Sequence, residues 1–154
     1  MSRSVSTKTR WLVLAAWIGL IFFFSTDSFS GHKTSRIIIP VLKFLMPSLS
    51  PEQLETGHTI CRKAGHVLEY FVLGTLAWRA FRGESRGGGG MVLLKSVALI
   101  LLVALTDEFH QSFVASRTSS IIDVGYDFIG GIVALGLLSR FRHEDRALYS
   151  HTIL

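Results

Sequence analysis

Four long apolar runs constrain the fold of this chain more than any other feature. They cover residues 11–24, 64–81, 91–106 and 121–139. A helix needs about 20 mostly apolar residues to cross a bilayer, and these runs approach that length once their polar flanks are included. Such flanks suit a polar, protein-lined cavity rather than lipid. The runs predict an all-α integral membrane protein, one domain over residues 1–154, with four transmembrane helices at about 9–26, 64–81, 91–111 and 121–139.

The composition agrees with lipid as the surrounding solvent. Hydrophobic residues make up 49% and charged residues 18%, with a mean hydropathy of +0.43, which is too apolar for an ordinary soluble surface. The net charge is +5, but most Lys and Arg residues lie between the apolar runs, so we expect no nucleic-acid partner. Cys61 is the only cysteine, which excludes an intrachain disulfide and a cysteine-based metal cluster.

The segment between the first two runs contains a second kind of helix pattern. Over residues 35–46, apolar side chains recur at helical spacing beside Arg36 and Lys43, and Pro47 follows. This predicts an amphipathic helix lying in the membrane interface between the first two spans. A re-entrant segment is the alternative.

Glycines suggest both a turn and close helix packing. The tract at residues 87–90 predicts a flexible turn, since neither a preceding strand nor a lysine–hydroxyl pair supports a phosphate-binding loop. Small residues in the second and fourth helices predict close packing between helices; they are Gly65, Gly74, Gly125, Gly130, Gly131, Ala134 and Gly136.

The distribution of Lys and Arg predicts the orientation. With four spans, ten lie on the side of the termini and six on the other, so the positive-inside rule places both termini in the cytoplasm. The first run also has the form of a signal peptide, with Ser28 and Ser30 before Gly31. Because Asp27 and Phe29 interrupt that cleavage region, we expect the first helix to be retained.

Ionisable residues gather near one end of three predicted helices. His66, Glu69 and Tyr70 are spaced i, i+3, i+4, as are Asp107, His110 and Gln111, while Asp123 and Asp127 are one turn apart. The chain direction places all three sets in the outer half, with Asp27 and Arg117 nearby. A charged side chain at membrane depth costs about 2.5 to 3.5 kcal/mol on insertion scales, so these groups predict a polar outer cavity.

Several of these residues also have a purely structural interpretation. Gln111, Tyr70 and Glu69 can hydrogen-bond between helices, and Asp123 can pair with Arg117 or cap the fourth helix. His66 and His110 each lie within a turn of a carboxylate, which favours a functional role as proton relay or acid and base. We expect the other histidines, at positions 32, 58, 143 and 151, to be solvated in loops or tails.

Metal binding is the remaining alternative for this cluster. His66 with Glu69 and Asp107 with His110 are i, i+3 ligand pairs of the kind found in carboxylate-bridged bundles. One pair is reversed in order and the first helix offers no internal carboxylate. We therefore expect no metal and no other cofactor.

The same residues resemble a known family. Lys63-Ala-Gly-His66-Val-Leu-Glu69-Tyr70, the stretch Asp107-Glu108-Phe109-His110-Gln111, and then Arg117, Asp123 and Gly130 resemble the VanZ-like bacterial membrane proteins. Where the family often has Asn, this chain has Asp127. The resemblance, which covers most of residues 11–138, implies a multi-pass protein of the bacterial plasma membrane, associated with resistance to glycopeptides such as teicoplanin or with a more general envelope role.

Three functions follow as hypotheses. The first is binding of a polar or anionic group of an envelope lipid, a lipid-linked wall precursor or a glycopeptide through Arg117 and the His and carboxylate cluster, Glu108 included. The second is a hydrolase or transferase acting on a lipid-linked headgroup, with His66 or His110 as general base and Glu69 or Asp107 beside it. The third is a structural or partner-binding membrane protein whose polar residues lock the bundle.

Overall fold

The structure, a computed structural model, describes residues 6–84, 88–117 and 119–151, with side chains up to residue 140. Five α-helices make up most of these ranges: α1 Thr7–Phe24, α2 Gly31–Leu45, α3 Pro51–Glu84, α4 Gly89–Gln111 and α5 Ile121–His151. A 3-10 turn, Asp27–Phe29, connects α1 to α2. Because these ranges contain no β-strand, the all-α prediction is confirmed.

Three helices are long and apolar enough to cross a bilayer: Thr7–Phe24, Gly89–Gln111 and Ile121–Arg140. They correspond to the first, third and fourth predicted spans. α3 contains the second predicted span but is not among them, since His66, Glu69 and Arg79 lower the hydropathy of its apolar part. The chain is thus a membrane protein with three helices of spanning character, and the second of the four predicted spans remains a prediction.

α3 is longer than a bilayer requires. Its 34 residues extend about 50 Å at 1.5 Å per residue, against a hydrocarbon core of about 30 Å. The helix begins at Pro51, well before residue 64, because a capping box starts it there: Gln53 N donates to Ser50 Oγ (3.3 Å) and Ser50 N donates to Gln53 Oε1 (2.8 Å). Proline at the first helical position suits this start.

α2 packs against the N-terminal extension of α3. It begins at Gly31, before the predicted residue 35, and Pro47 follows its end. The Thr34 hydroxyl lies 3.1 Å from His58 Nε2, and His58 is buried. The expectation that His58 is solvated in a loop is therefore wrong, because α3 starts early and α2 covers it. Burial lowers the pKa of His58, and the charge of Arg62 lowers it further.

The apolar core lies between α1, α3, α4 and α5, around Tyr70, Leu73, Ile100 and Leu135. α3 and α5 approach most closely. A Cβ added at Gly74 would lie 2.7 Å from the Gly131 carbonyl oxygen, and one at Gly130 would overlap the Val67 carbonyl. Backbones can come this close only where side chains are absent, so these glycines allow the crossing.

The predictions about glycine are partly confirmed and partly wrong. Close packing is confirmed at positions 74, 130 and 131 but wrong at positions 65, 125 and 136, where a Cβ would meet nothing within 4 Å. Of the predicted turn at 87–90, Gly87 lies outside the described residues. Gly89 and Gly90 already belong to the first turn of α4, which shortens the turn.

Candidate functional site

The ionisable residues meet at one end of the bundle, where α1 and α4 end and α5 begins. We call it the polar end. α3 passes through this end in mid-helix, so residues one turn apart on α3 face the termini of the other helices. The helical repeat puts His66, Glu69 and Tyr70 on one side of α3, as predicted from their spacing.

A buried polar layer forms the floor of this end. Gln111 Nε2 donates to Asp107 Oδ2 (2.9 Å) within α4 and lies 3.3 Å from Ser25 Oγ at the end of α1. Asp107, Gln111 and Ser25 are all buried, as is Tyr70, whose hydroxyl finds no hydrogen-bond partner among the described residues. The layer connects α4 to α1, which is a structural role of the kind expected for Gln111.

His66 and Asp127 form a second polar contact, between α3 and α5. His66 Nδ1 lies 3.0 Å from Asp127 Oδ1, and the side-chain exposures are 15% and 0%. With Nδ1 engaged, Nε2 is the ring nitrogen left to face outward. The sequence alone did not predict this contact, because the two residues are 61 positions apart in the chain.

Glu108 holds the start of α5. Its Oε2 accepts a hydrogen bond from Ser120 N (2.8 Å), and Ser120 Oγ accepts one from Ile122 N (3.2 Å). Orphan N–H groups at a helix N-terminus favour a carboxylate and a serine in these positions. Glu108 is itself buried, and its hydrogen bond with Ser120 N positions the start of α5.

Arg117 ties the loop after α4 to the end of α1. Its guanidinium Nη2 donates to the Phe24 carbonyl and lies 3.5 Å from the Thr26 carbonyl oxygen. Burial lowers the pKa of Arg117, and the nearby charge of Arg62 lowers it further. The guanidinium remains protonated because the normal pKa of Arg is very high.

Asp27 reinforces the same corner from the 3-10 turn. It accepts hydrogen bonds from Lys33 on α2 and from Ser116 in the loop before α5. The hydrogen bond from Lys33, followed by that from Ser116, holds the pKa of Asp27 below its usual value. Asp27 thus connects three segments around Arg117.

Two adjoining cavities open above the buried layer. The first has a volume of about 240 Å³ and is lined by Phe24, Ser25, Phe29, Thr34, Ile38, Arg62, Gly65, His66, Glu69 and Arg117. The second, about 380 Å³, is lined by Gly31, Thr59, Arg62, Lys63, His66, Ser116, Arg117, Ser120, Ile122 and Asp123. Arg62, His66 and Arg117 line both, so the two cavities share one cationic wall.

Lys63 and Asp123 neutralise each other at the edge of the second cavity. Lys63 Nζ lies 3.1 Å from Asp123 Oδ1 and 4.2 Å from the centre of the Tyr126 ring. The alternatives for Asp123 were a pair with Arg117 or a helix cap, and the partner in the structure is Lys63. Arg117 and Arg62 therefore keep their charge unmatched by Asp123.

The predicted site residues separate into two groups. His66, Glu69, Arg117 and Asp123 line the cavities, whereas the buried ones lie beneath or beside them: Tyr70, Asp107, Glu108, Gln111 and Asp127.

His110 is set apart from both groups. It lies edge-on to Phe22, with ring centres 5.9 Å apart, and it is not among the residues that line the two cavities. Within the described ranges, no group of three or more His, Cys, Asp or Glu side chains is arranged to hold a metal ion.

Sequence reasoning overlooked the most informative lining residue, Arg62. It lies four positions before His66, and i, i+4 residues share a helix face, so this spacing could have identified it. Phe29, Thr34 and Ile38 were also missed. They line the first cavity because α2 folds back onto α3, and no local sequence pattern predicts that contact.

Comparison with known families gives one match. A family model described as VanZ/LLP1 matches residues 10–142, which include all the predicted site residues. No curated protein and no solved structure gives a match.

Proposed function

Because the chain belongs to the VanZ/LLP1 family, we propose that it binds the anionic headgroup of an envelope lipid or lipid-linked wall precursor at its polar end. One observation supports this above the others: Arg62 and Arg117 both line both cavities. Among the described residues, the basic side chains within 4.0 Å of a carboxylate are Lys33, Lys63, His58 and His66, so neither arginine has a carboxylate partner in that part of the chain. Two such guanidiniums favour phosphate or carboxylate oxygens.

The rest of the cavity lining favours an amphiphile. Phe24, Phe29 and Ile38 supply an apolar wall to the first cavity, which Arg62 and Arg117 also line. A headgroup contacting the arginines would leave its acyl or prenyl chain against this wall. A small inorganic anion would gain nothing from that surface.

This function requires the membrane arrangement predicted from the sequence. We propose that residues 64–81 of α3 cross the membrane as the second of four spans. Both termini are then cytoplasmic, and the polar end faces outward at the plasma membrane. α2 would then lie in the interface with its exposed apolar side chains in lipid; they are Ile37, Val41, Phe44 and Leu45. The cavity beside Ile38 would open at headgroup depth.

A role in glycopeptide resistance would follow from the same site. Glycopeptides act on wall precursors at the outer face, where a protein that binds such precursors could change their accessibility. We expect Arg62→Gln and Arg117→Gln to remove any such contribution at normal membrane abundance. The measurement is teicoplanin susceptibility beside a membrane immunoblot.

A binding experiment tests the proposal directly. Purified protein in phosphatidylcholine nanodiscs would be titrated with a long-chain lipid phosphate, with inorganic phosphate as a second arm, and followed by native mass spectrometry. We expect lipid phosphate to bind and Arg62→Gln to weaken binding about 10- to 100-fold, the equivalent of roughly 1.5–3 kcal/mol for charge-assisted hydrogen bonds.

Arg36→Gln is the matched control, because Arg36 is exposed on α2 and lines neither cavity. Equal binding of the lipid phosphate to wild type and Arg62→Gln would contradict the proposal. Binding of inorganic phosphate with the affinity of the lipid would contradict its lipid part.

A further inference from the structure

We propose that the polar end hydrolyses a lipid phosphate monoester, with His66 as general base held in position by Asp127. This inference rests on the proposed function, since it names the reaction and the substrate class of the same site. It goes beyond binding because a binding site needs cations but has no need for an oriented imidazole.

The first argument is the rigidity of the pair. His66 Nδ1 and Asp127 Oδ1 are 3.0 Å apart, and the Asp127 side chain is fully buried. Gly130, three residues after Asp127, lies directly against the backbone of Val67, the neighbour of His66. The closest α3–α5 contact therefore fixes the separation of the two side chains, as a preorganised catalytic pair requires.

The second argument is the direction of the imidazole. A carboxylate on Nδ1 sets the tautomer so that Nε2 can accept a proton, and it stabilises the imidazolium that forms. His66 lines both cavities, and with Nδ1 engaged by Asp127 the ring nitrogen available to a ligand there is Nε2. A histidine serving only to connect two helices would have no reason to line both.

The third argument is charge. The cavities share two guanidiniums, Arg62 and Arg117, whereas Lys63 is neutralised by Asp123. Two positive charges match the dianion of a phosphate monoester better than the single charge of a diester. They would also stabilise the charge that spreads over the phosphoryl oxygens during transfer.

The reaction balances with one further residue, Glu69. Water gives a proton to His66 Nε2 while its oxygen forms a bond to phosphorus. The bond from phosphorus to the lipid oxygen breaks, and the protonated carboxyl of Glu69 gives its proton to the leaving alkoxide. Imidazolium returns a proton to the Glu69 carboxylate one turn away on α3, so water and the monoester become alcohol and hydrogen phosphate.

The test uses the full chain in nanodiscs with a long-chain lipid phosphate monoester in water enriched in oxygen-18. We expect release of phosphate carrying one heavy oxygen. His66→Asn should slow release by about 100-fold or more, the usual contribution of a general base, while lipid binding persists. Asp127→Asn should reduce kcat with little change in KM and alter the pH profile, because it favours the wrong tautomer.

Two further variants distinguish a loss of catalysis from a loss of folding. Glu69→Gln should also stop turnover, and within the described ranges the Glu69 carboxylate makes no hydrogen bond or ion pair whose loss would disturb the fold. His32→Asn, on the exposed side of α2, should leave the rate unchanged.

The outcomes separate the two proposals. Absence of lipid binding would overturn the proposed function. Lipid binding without phosphate release would overturn only the catalytic inference. Release at the wild-type rate from His66→Asn, or a trapped phosphoenzyme in place of direct water attack, would overturn the role of His66.

Discussion

α3 carries similar cations at the polar end of the bundle and at the opposite end, and it uses them differently. At the polar end, Arg62 and His66 are half-buried and line cavities that the end of α1, α2, the loop after α4 and the start of α5 help to enclose. At the other end, Arg79 is exposed, and Arg10 of α1 reaches its backbone carbonyl at 3.4 Å. At this other end, Arg10 and Arg79 line a cavity of about 230 Å³ with Thr9, Val13 and Leu76, and none of the described carboxylate residues lines it.

This difference shows that charge by itself does not make a site. The cations near Arg79 meet backbone and an aromatic ring, as in the 5.9 Å approach of Lys95 to Phe81. At the polar end, carboxylates are buried with the cations, and burying them costs free energy that only specific contacts offset. Matched substitutions at the two ends can break this comparison.

The largest effect is expected from the glycine contact beneath the polar end. Gly130→Val would place a side chain into the Val67 backbone, so α3 and α5 would have to separate. We expect a loss of more than about 3 kcal/mol and little monodisperse protein. Gly136→Val adds the same side chain six residues further along α5, where nothing lies within 4 Å of a Cβ, and it should be close to neutral. Size-exclusion profiles and thermal unfolding in detergent compare them.

Should both variants unfold alike, close helix contact would not be specific to the polar end.

A smaller effect is expected from exchanging an arginine at each end for methionine. Arg117→Met removes the donor to the Phe24 carbonyl and should cost about 1.5–3 kcal/mol, as for hydrogen bonds to charged groups. Arg79→Met changes an exposed side chain and should stay within about 0.5 kcal/mol. Thermal unfolding in nanodiscs measures both. Equal losses would mean that Arg117 is anchored no more firmly than a surface cation.

The smallest effect concerns pH at the extension of α3. His58 is buried with a pKa below its ordinary value of 6.5, so the unfolded chain binds its proton more readily than the folded chain. Stability from the neutral imidazole is complete above about pH 6.5 and is lost as the pH falls toward the lower folded pKa. The unfolding temperature should drop over that range in wild type and in His32→Asn, and drop less in His58→Asn. An equal decline of the unfolding temperature in all three proteins would show that a group other than His58 causes the pH effect.

Local patterns predicted much of this fold because membrane helices satisfy their backbone within one segment. Three of the predicted spans appear as apolar helices near their predicted bounds. The start of α3 was misjudged because its first half is polar, although Ser50 and Gln53 carry a capping box that could have shown it. The burial of His58 was not predicted for the same reason.

The sequence predicted the membrane depth of the site but only some of its side-chain contacts. The chain direction of the predicted spans placed His66, Glu69 and Asp107 at one end of the bundle. It could not tell that His110 lies against Phe22, while His66 turns to Asp127. Side chains on one helix face have neighbours that depend on how the helices rotate against each other.

Sequence alone determined the all-α membrane character and the gathering of ionisable groups at one end, because apolar run length and helical spacing are local properties. Tertiary structure decided the partnerships. His66 finds Asp127 across 61 positions, Gln111 finds Ser25 across 86, and Arg117 finds Phe24 across 93. Such pairs depend on helix crossings set by glycines such as Gly130, and packing of this kind is a property of the whole bundle.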